Sequence, residues 1–241
     1  MLSEFTPADL ENLLANVAPT DGSRKSYTQV LGRVFRRGVT LGWCPSNPFS
    51  RVERPEAAEL VPEVLTPSQA KRLLKTASEI DRELVPYIAI GLFAGIRPDE
   101  CKRLQWSDIE FSENHITIRA EHSKTRTKRF VELEPNLIEW LLPFRKSEGF
   151  VVPKRNLRWR MVGVRKKAEL LETWQADILR HSYCSHWLAA YGDLNRLRAN
   201  VGHRSPDLLF RHYHKAVRKA EAKKFWQIKP SAQLAKIRTI A

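Results

Sequence analysis

One stretch of this 241-residue chain changes its hydrophobic period, and that change limits the folds open to it. Between residues 109 and 133 the apolar positions alternate. His115-Ile116-Thr117-Ile118 and Arg129-Phe130-Val131-Glu132-Leu133 each place every second side chain on one face, the period of a strand. The connection at 121–128 is polar and basic, so the two segments form a β-hairpin with a charged tip. Elsewhere the apolar residues recur at helical spacing. The expected class is therefore mainly α with a small antiparallel β-sheet or hairpin.

The helical part falls into two units. Thr6-Pro7 reads as an N-cap followed by proline at the first helical position, with Leu10, Leu13, Leu14 and Val17 on one face. The chain breaks at 19–22. Ser23 then caps a second helix with Tyr27, Val30, Leu31, Val34 and Phe35 on its apolar face and Arg24, Lys25, Arg33, Arg36 and Arg37 opposite. Gly42 ends it, and the prolines at 45, 48, 55 and 62 mark a linker over 44–63. Thr66-Pro67-Ser68-Gln69 is a capping box that opens the second unit, with Ala70, Leu73, Leu74 and Ala77 turned inward. The helix at 84–94 is apolar nearly all round and belongs in the core; Gly95 stops it and Pro98 starts another. Further helices are predicted at about 135–144, 158–171, 178–190, 193–201, 206–218 and 220–227. The expected domains are 1–58, a short helical segment with its linker, and 59–241.

Charge narrows the choice of partner. The net charge is +14. Residues 145–241 hold 22 Lys and Arg against 7 Asp and Glu, whereas residues 1–144 hold 19 against 20. Positive charge gathered in one half points to a polyanion, and nucleic acid is the usual one. No run of about 18 apolar residues occurs, so no membrane span is expected. The acidic, helix-starting N-terminus does not read as a signal peptide. Three widely spaced cysteines, Cys44, Cys101 and Cys184, fit a reducing cytoplasm better than a disulfide framework.

Four short segments hold the residues able to do chemistry, and each has a plain structural reading beside it. Arg97, before Pro98, should sit just ahead of a helix N-terminus, where anions collect. It could grip a phosphate there, or simply pair with Asp99 or Glu100. Arg180 lies in the first turn of a helix that Asp177 would cap. His203 follows Gly202, a natural helix-ending residue, in a turn; such a histidine is ordinarily only exposed. Tyr213 shares a stripe with Leu209 and Val217, so it is either a half-buried core aromatic or a nucleophile whose phenolate is stabilised by cations or formed by a base.

Taken in order, Arg97, Lys124, Arg180, His203 and Tyr213 resemble the active-site series of the tyrosine recombinases, the phage integrase family. GLFAGIRPDECKRLQWSDIEF is similar to the family segment around its first catalytic arginine. SKTRTKRFVEL resembles the β-hairpin lysine segment, with Lys124 as that lysine, and LRHSYCSHWLAAYGDLNRLRANVGHRSPDLLFRHY resembles the run from the second arginine to the nucleophile. The likeness covers roughly 64–217. SRKSYTQVLGRVFRRGVTLGWCPSNPF looks like the last helix of the family's core-binding domain, so a catalytic domain is expected behind a short, truncated core-binding-like arm with room for about two helices. Two features depart from the pattern. Asp177 stands where the family usually has a histidine, and a carboxylate repels a phosphate unless it serves to cap the helix and orient Arg180. Tyr213 lies ten residues after His203 where nine is usual, which one extra residue in the turn at 204–206 would absorb.

The resemblance implies a site-specific DNA recombinase or integrase. Tyr213 would cleave DNA through a 3′-phosphotyrosine, Arg97 and Arg180 would hold the phosphate with His203, and Lys124 would protonate the leaving 5′ oxygen. Neither metal nor ATP is implied, and a homotetramer on double-stranded DNA is. The implied setting is the cytoplasm of a bacterium, phage- or host-encoded and nucleoid-associated. No CxxC or HExxH spacing supports a metal site, and no cofactor is expected. Basic clustering nominates Arg24, Lys25, Arg126, Lys128, Arg158, Arg160, Arg165, Lys166 and Lys167 for DNA phosphates. Phe225 and Trp226, if exposed, would offer a docking face to a neighbouring subunit. Three other readings stand beside this one: a DNA-binding remnant of the same family that no longer cuts, a type IB topoisomerase-like enzyme, and a basic scaffold or RNA-binding module.

Overall fold

The structure is a computed structural model that describes residues 6–52, 62–123, 125–203, 213 and 217–235. The chain forms two compact units, Met1–Leu60 and Val61–Ala241.

In the first unit, α1 (Pro7–Val17) starts at a full capping box between Thr6 and Asp9. Helix α2 (Asp21–Thr40) starts earlier than expected: Thr20 is the cap, and it accepts from the Ser23 amide at 3.2 Å. Ser23 is therefore inside the first turn. The buried stripe is also narrower than the sequence implied. Leu10, Leu14 and Phe35 are buried with Leu31 against them, while Tyr27, Val30 and Val34 are exposed. Part of the supposed linker belongs to this small core. Cys44, Phe49 and Val52 pack into it around a 3₁₀ turn at Pro48–Ser50, and Asn47 Nδ2 holds the turn to the Gly32 carbonyl at 3.0 Å.

The second unit opens at α3 (Pro67–Ile80), where Thr66 and Gln69 form the capping box. A 3₁₀ turn at Arg82–Leu84 leads into α4 (Val85–Ala94), in which every residue but Tyr87 is buried. Each large aliphatic side chain fully removed from water here contributes about 1.5–3 kcal/mol, so α4 is the axis of the core. Gly95 ends it at φ +61°, and Pro98 begins the single-turn α5 (Pro98–Cys101). The hairpin is present: β2 (His115–Ile118) pairs antiparallel with β3 (Arg129–Glu132), with Ile116 opposite Val131. A third strand, β1 (Ile109–Glu110), adds to β2 on the other side, in the order β1-β2-β3. At two residues it is too short to show a period.

Helices α6 (Pro135–Leu141), α7 (Leu157–Lys167), α8 (Ile178–Tyr191) and α9 (Leu194–Val201) follow, then Lys219–Trp226 and Ala232–Ala235. The expected helix at 206–218 lies almost wholly outside the described residues. No described helix is long and apolar enough to cross a membrane. Phe225 is fully buried and Trp226 packs between it and Phe93, Tyr183 and Tyr191. These two aromatics are bound up in their own domain, which corrects the idea that they form an exposed docking face.

Two glycines set how closely α4 and α8 approach. A Cβ on Gly91 would lie 2.8 Å from Leu179, and one on Gly95 would lie 2.3 Å from the Tyr183 ring. Both positions must lack a side chain for α8 to reach the end of α4. That approach places Arg180 against the Gly95 carbonyl.

Candidate functional site

Three guanidinium groups converge on the C-terminal end of α9, where helix carbonyls have no partner within the helix and the dipole is negative. Arg180 is 3% exposed and donates to Gly95 O at 2.6 Å and to Val201 O at 2.7 Å. Arg97 donates to Val201 O at 3.3 Å and to Gly202 O at 3.2 Å. Arg129, the first residue of β3, donates through Nε to Asn200 O at 3.1 Å. Gly202 closes α9 at φ +62°, and a side chain there would crowd the Arg129 guanidinium at 3.1 Å. Residues from four separate segments thus meet at one helix end.

Glu100 ties two of the three together. It is 3% exposed and receives Arg129 Nη1 at 3.2 Å on one oxygen and Arg129 Nη2 at 2.5 Å on the other. Arg97 donates to the same carboxylate at 3.3 Å and closes a turn over it through its own backbone amide. Burial raises the carboxyl pKa of Glu100, but hydrogen bonding and charge from Arg129, and then the charges of Arg97 and Arg180, reverse this and leave it below its ordinary value. Three cations therefore face one anion. Burial also pushes the Arg180 guanidinium down, with Arg97 and Arg129 adding to the repulsion. A buried excess of positive charge is stabilised by an anion, and planar guanidiniums suit a phosphate oxygen pair.

The open side of this cluster is a cleft of about 370 Å³ lined by Arg97, Glu100, Arg103, His122, Ser123 and Asp177. Lys124 lies outside the described residues; Ser123, the residue before it, faces the cleft and bonds Thr125. Asp177 sits at the start of α8, but it does not cap it as expected. Its backbone is left-handed, φ +58°, and its side chain makes no cap hydrogen bond. In that geometry the carboxylate does not reach the amides of the first turn.

His203 is half-buried just past Gly202, with its amide 3.3 Å from Arg198 O. Tyr213 is buried, 4% exposed, and its hydroxyl lies 2.6 Å from His181 Nδ1. Burial first, then the neighbouring Cys184, raises the phenol pKa well above its usual range; Arg180 opposes this. Arg97 and Arg180 are thus brought together through the shared Val201 carbonyl, and Arg180 acts on Tyr213 through its charge. Reading the sequence had paired Arg97 with Asp99 or Glu100 as the alternative to phosphate binding. Glu100 is that partner, while Asp99 pairs with Lys102 at 2.9 Å. Sequence reasoning had given no site role to Glu100, Arg129 or His181. The Gly91–Gly95 spacing beside an arginine-rich motif, and a glutamate one helical turn after Arg97, were the available signals.

The basic residues nominated for DNA differ in their freedom. Lys25, Arg126, Lys128, Arg158, Lys166 and Lys167 are exposed. Arg24 spends its Nε on Ala18 O and pairs with Asp21. Arg160 is held by Asp81 and Glu83, and Arg165 stacks over Trp174 while donating to Met161 O at 3.2 Å. Among the described residues no group of three or more His, Cys, Asp and Glu side chains could hold a metal ion. His186 is stacked on Phe225 and bonded to Leu65 O at 2.9 Å, away from His181.

Comparison with known proteins places the chain in a family. The family model described as "Phage integrase family" matches residues 63–219. The tyrosine recombinase XerC of Staphylococcus aureus is 24% identical over 223 residues, covering 84% of this chain and 74% of that protein. Among solved structures, a lambda integrase (75–356) dimer bound to a COC′ core site superposes with a TM-score of 0.71 at 16% identity, covering 88% of this chain and 81% of that one. A lambda integrase tetramer bound to a Holliday junction gives a TM-score of 0.71 at 16% identity, covering 90% and 67%. Since the family model spans well over half of its length, the chain belongs to the phage integrase family, the tyrosine recombinases.

Proposed function

We propose that this protein is a site-specific DNA recombinase or integrase that cuts and rejoins DNA through a 3′-phosphotyrosine on Tyr213. The observation that carries the reading is the buried excess of positive charge at the end of α9, where three guanidiniums face one carboxylate beside a buried tyrosine hydroxyl. Phosphoryl transfer asks a protein chiefly for charge stabilisation on the non-bridging oxygens and for in-line placement. Arg97 and Arg180 supply the charge, His203 assists, and Arg129 with Glu100 keeps Arg97 in place. Lys124 serves as general acid to the leaving 5′ oxygen. Because guanidiniums do the charge work and the covalent link preserves the bond energy, the reaction as proposed needs neither metal nor ATP. Asp177, on the cleft wall, is a supporting group that discourages a second anion rather than a ligand of the phosphate.

Duplex DNA is the partner, held mainly by its phosphates. Lys25, Arg126, Lys128, Arg158, Lys166 and Lys167 are the contacts best placed by exposure, and Arg24, Arg160 and Arg165 would first have to leave their present partners. Residues 1–58 act as a DNA-binding arm and residues 59–241 as the catalytic domain. A homotetramer on DNA follows by analogy with the lambda integrase assembly on a Holliday junction. Such an enzyme works in the cytoplasm, on the nucleoid or on a mobile element.

The test is adduct trapping on a pooled library of labelled, nicked duplexes. The wild-type protein is expected to give a denaturation-resistant protein–DNA adduct, and Tyr213→Phe none. An adduct that survives in Tyr213→Phe sinks the assignment of the nucleophile. Salt-sensitive binding without any adduct in either protein favours a remnant that binds and does not cut, the reading for which the unengaged Asp177 speaks.

A further inference from the structure

Tyr213 is buried as a residue, 4% exposed. A buried phenol that is to attack phosphorus needs a bonded acceptor to take its proton as the new bond forms. Among the described residues, four ionisable groups bear on that proton, and one of them, Arg180, favours the phenolate through its charge but is a cation that accepts no proton. Cys184 is within hydrogen-bond reach, but burial pushes its thiol up to about 11, so near neutral pH it is a protonated thiol and a weak acceptor. Asp177 acts through its charge alone and opposes phenolate formation. His181 is bonded directly: Nδ1 is 2.6 Å from Oη, and the two rings lie at 36° with centroids 5.7 Å apart.

Helix α8 accounts for the placement. His181 and Cys184 are three residues apart, so they share a stripe of the helix, and that stripe faces Tyr213. Arg180, one residue earlier, is fixed by the Gly95 and Val201 carbonyls. One helical turn thus carries a phosphate-binding guanidinium and an imidazole on the nucleophile. His181 is half-buried whereas Tyr213 is buried. Imidazole is also the side chain best suited to exchange a proton near neutral pH.

We propose that His181 is the catalytic base for Tyr213, taking the Oη proton on Nδ1 as the phosphodiester is attacked. The inference rests on Tyr213 being the nucleophile. The Oη–H bond breaks and the proton passes to Nδ1. The Oη–P bond forms and the P–O5′ bond breaks. The bond electrons leave on the 5′ oxygen, which takes a proton from a separate acid. In rejoining, Nδ1 returns its proton to Oη. The resting ring therefore carries its hydrogen on Nε2.

Adduct formation by the full-length chain on the nicked duplex library tests this, with wild type, Tyr213→Phe, His181→Asn and His181→Gly compared. Asparagine keeps a hydrogen-bond acceptor near the Nδ1 position but takes up no proton. Both His181 variants are expected to bind DNA as wild type does and to form adduct about a hundred-fold or more slowly. Added imidazole should restore His181→Gly in proportion to its unprotonated form and leave His181→Asn slow. A bridging 5′-phosphorothiolate, whose leaving group needs no proton, should not relieve either defect. Wild-type rates in His181→Asn overturn the proposal, because a hydrogen bond alone would then suffice. A folded His181→Gly protein that imidazole fails to restore, or rescue by the phosphorothiolate, overturns it equally. No adduct in wild type, or an adduct in Tyr213→Phe, removes the nucleophile assignment and this inference with it. Normal wild-type adduct with fast His181 variants removes the inference alone.

Discussion

Glu100 carries more of the site's integrity than its neighbours, because it is the buried anion between Arg97 and Arg129. Breaking a buried pair by removing one partner typically costs about 3–5 kcal/mol, since the remaining charge is left uncompensated. Glu100→Gln is accordingly expected to lower the denaturant midpoint strongly at pH 7, with the unfolding slope unchanged. The same carboxylate sets an acid dependence. Its folded pKa lies below the ordinary 4.5, so the stability it contributes is fully present above about that pH. That contribution is lost as pH falls through the lower folded value. Urea midpoints measured from pH 6 to pH 3 should fall in wild type and fall less in Glu100→Gln; equal slopes would show that Glu100 is not the linked group.

Among the elements, the contact between α4 and α8 governs the site. Gly95 has φ +61°, and any Cβ there meets the Tyr183 ring at 2.3 Å. Gly95→Ala must therefore both strain the backbone and push α8 away, an effect of about 2 kcal/mol or more. Thermal unfolding should register it, and adduct formation should drop further than stability alone explains because Arg180 loses its hold on the Gly95 carbonyl. Thr66→Ala is the control. Loss of that cap should cost about 1 kcal/mol and leave the chemistry unchanged. Caps and stops such as Thr6, Thr66, Gly95 and Gly202 were readable in advance because they are local hydrogen-bond and φ requirements. The start of α2 was misread because Thr20 and Ser23 are both competent caps, and packing decides between them. Strand β1 was missed because two residues carry no period.

For the molecule as a whole, the division at residue 60 and the lopsided charge lead to separate expectations. Among the described residues of 61–241 one core cluster runs from Leu65 to Leu234, so this fragment is expected to unfold in one cooperative transition on its own. A broad, non-cooperative melt would show that the first unit is needed for folding. DNA affinity should fall steeply with salt, and replacing exposed Lys166 or Arg158 by alanine should flatten the log–log slope by about one unit each. A slope that does not change would remove that residue from the phosphate contacts.

The sequence by itself determined the class, mainly helical with one small antiparallel sheet, and most helix ends. It also marked the positions of Arg97, Arg180, His203 and Tyr213, because periodicity, capping and motif order are properties of neighbours along the chain. Only the tertiary structure decided what those residues touch. The gathering of Arg97, Arg129 and Arg180 on the end of α9, the role of Glu100 between two of them, and the contact of His181 with Tyr213 join positions from 3 to 105 residues apart. The physical reason is that a guanidinium or an imidazole takes its function from the charges and carbonyls packed against it. Those are set by how closely α4, α8, α9 and β3 approach, which in turn depends on side chains being absent at Gly91 and Gly95.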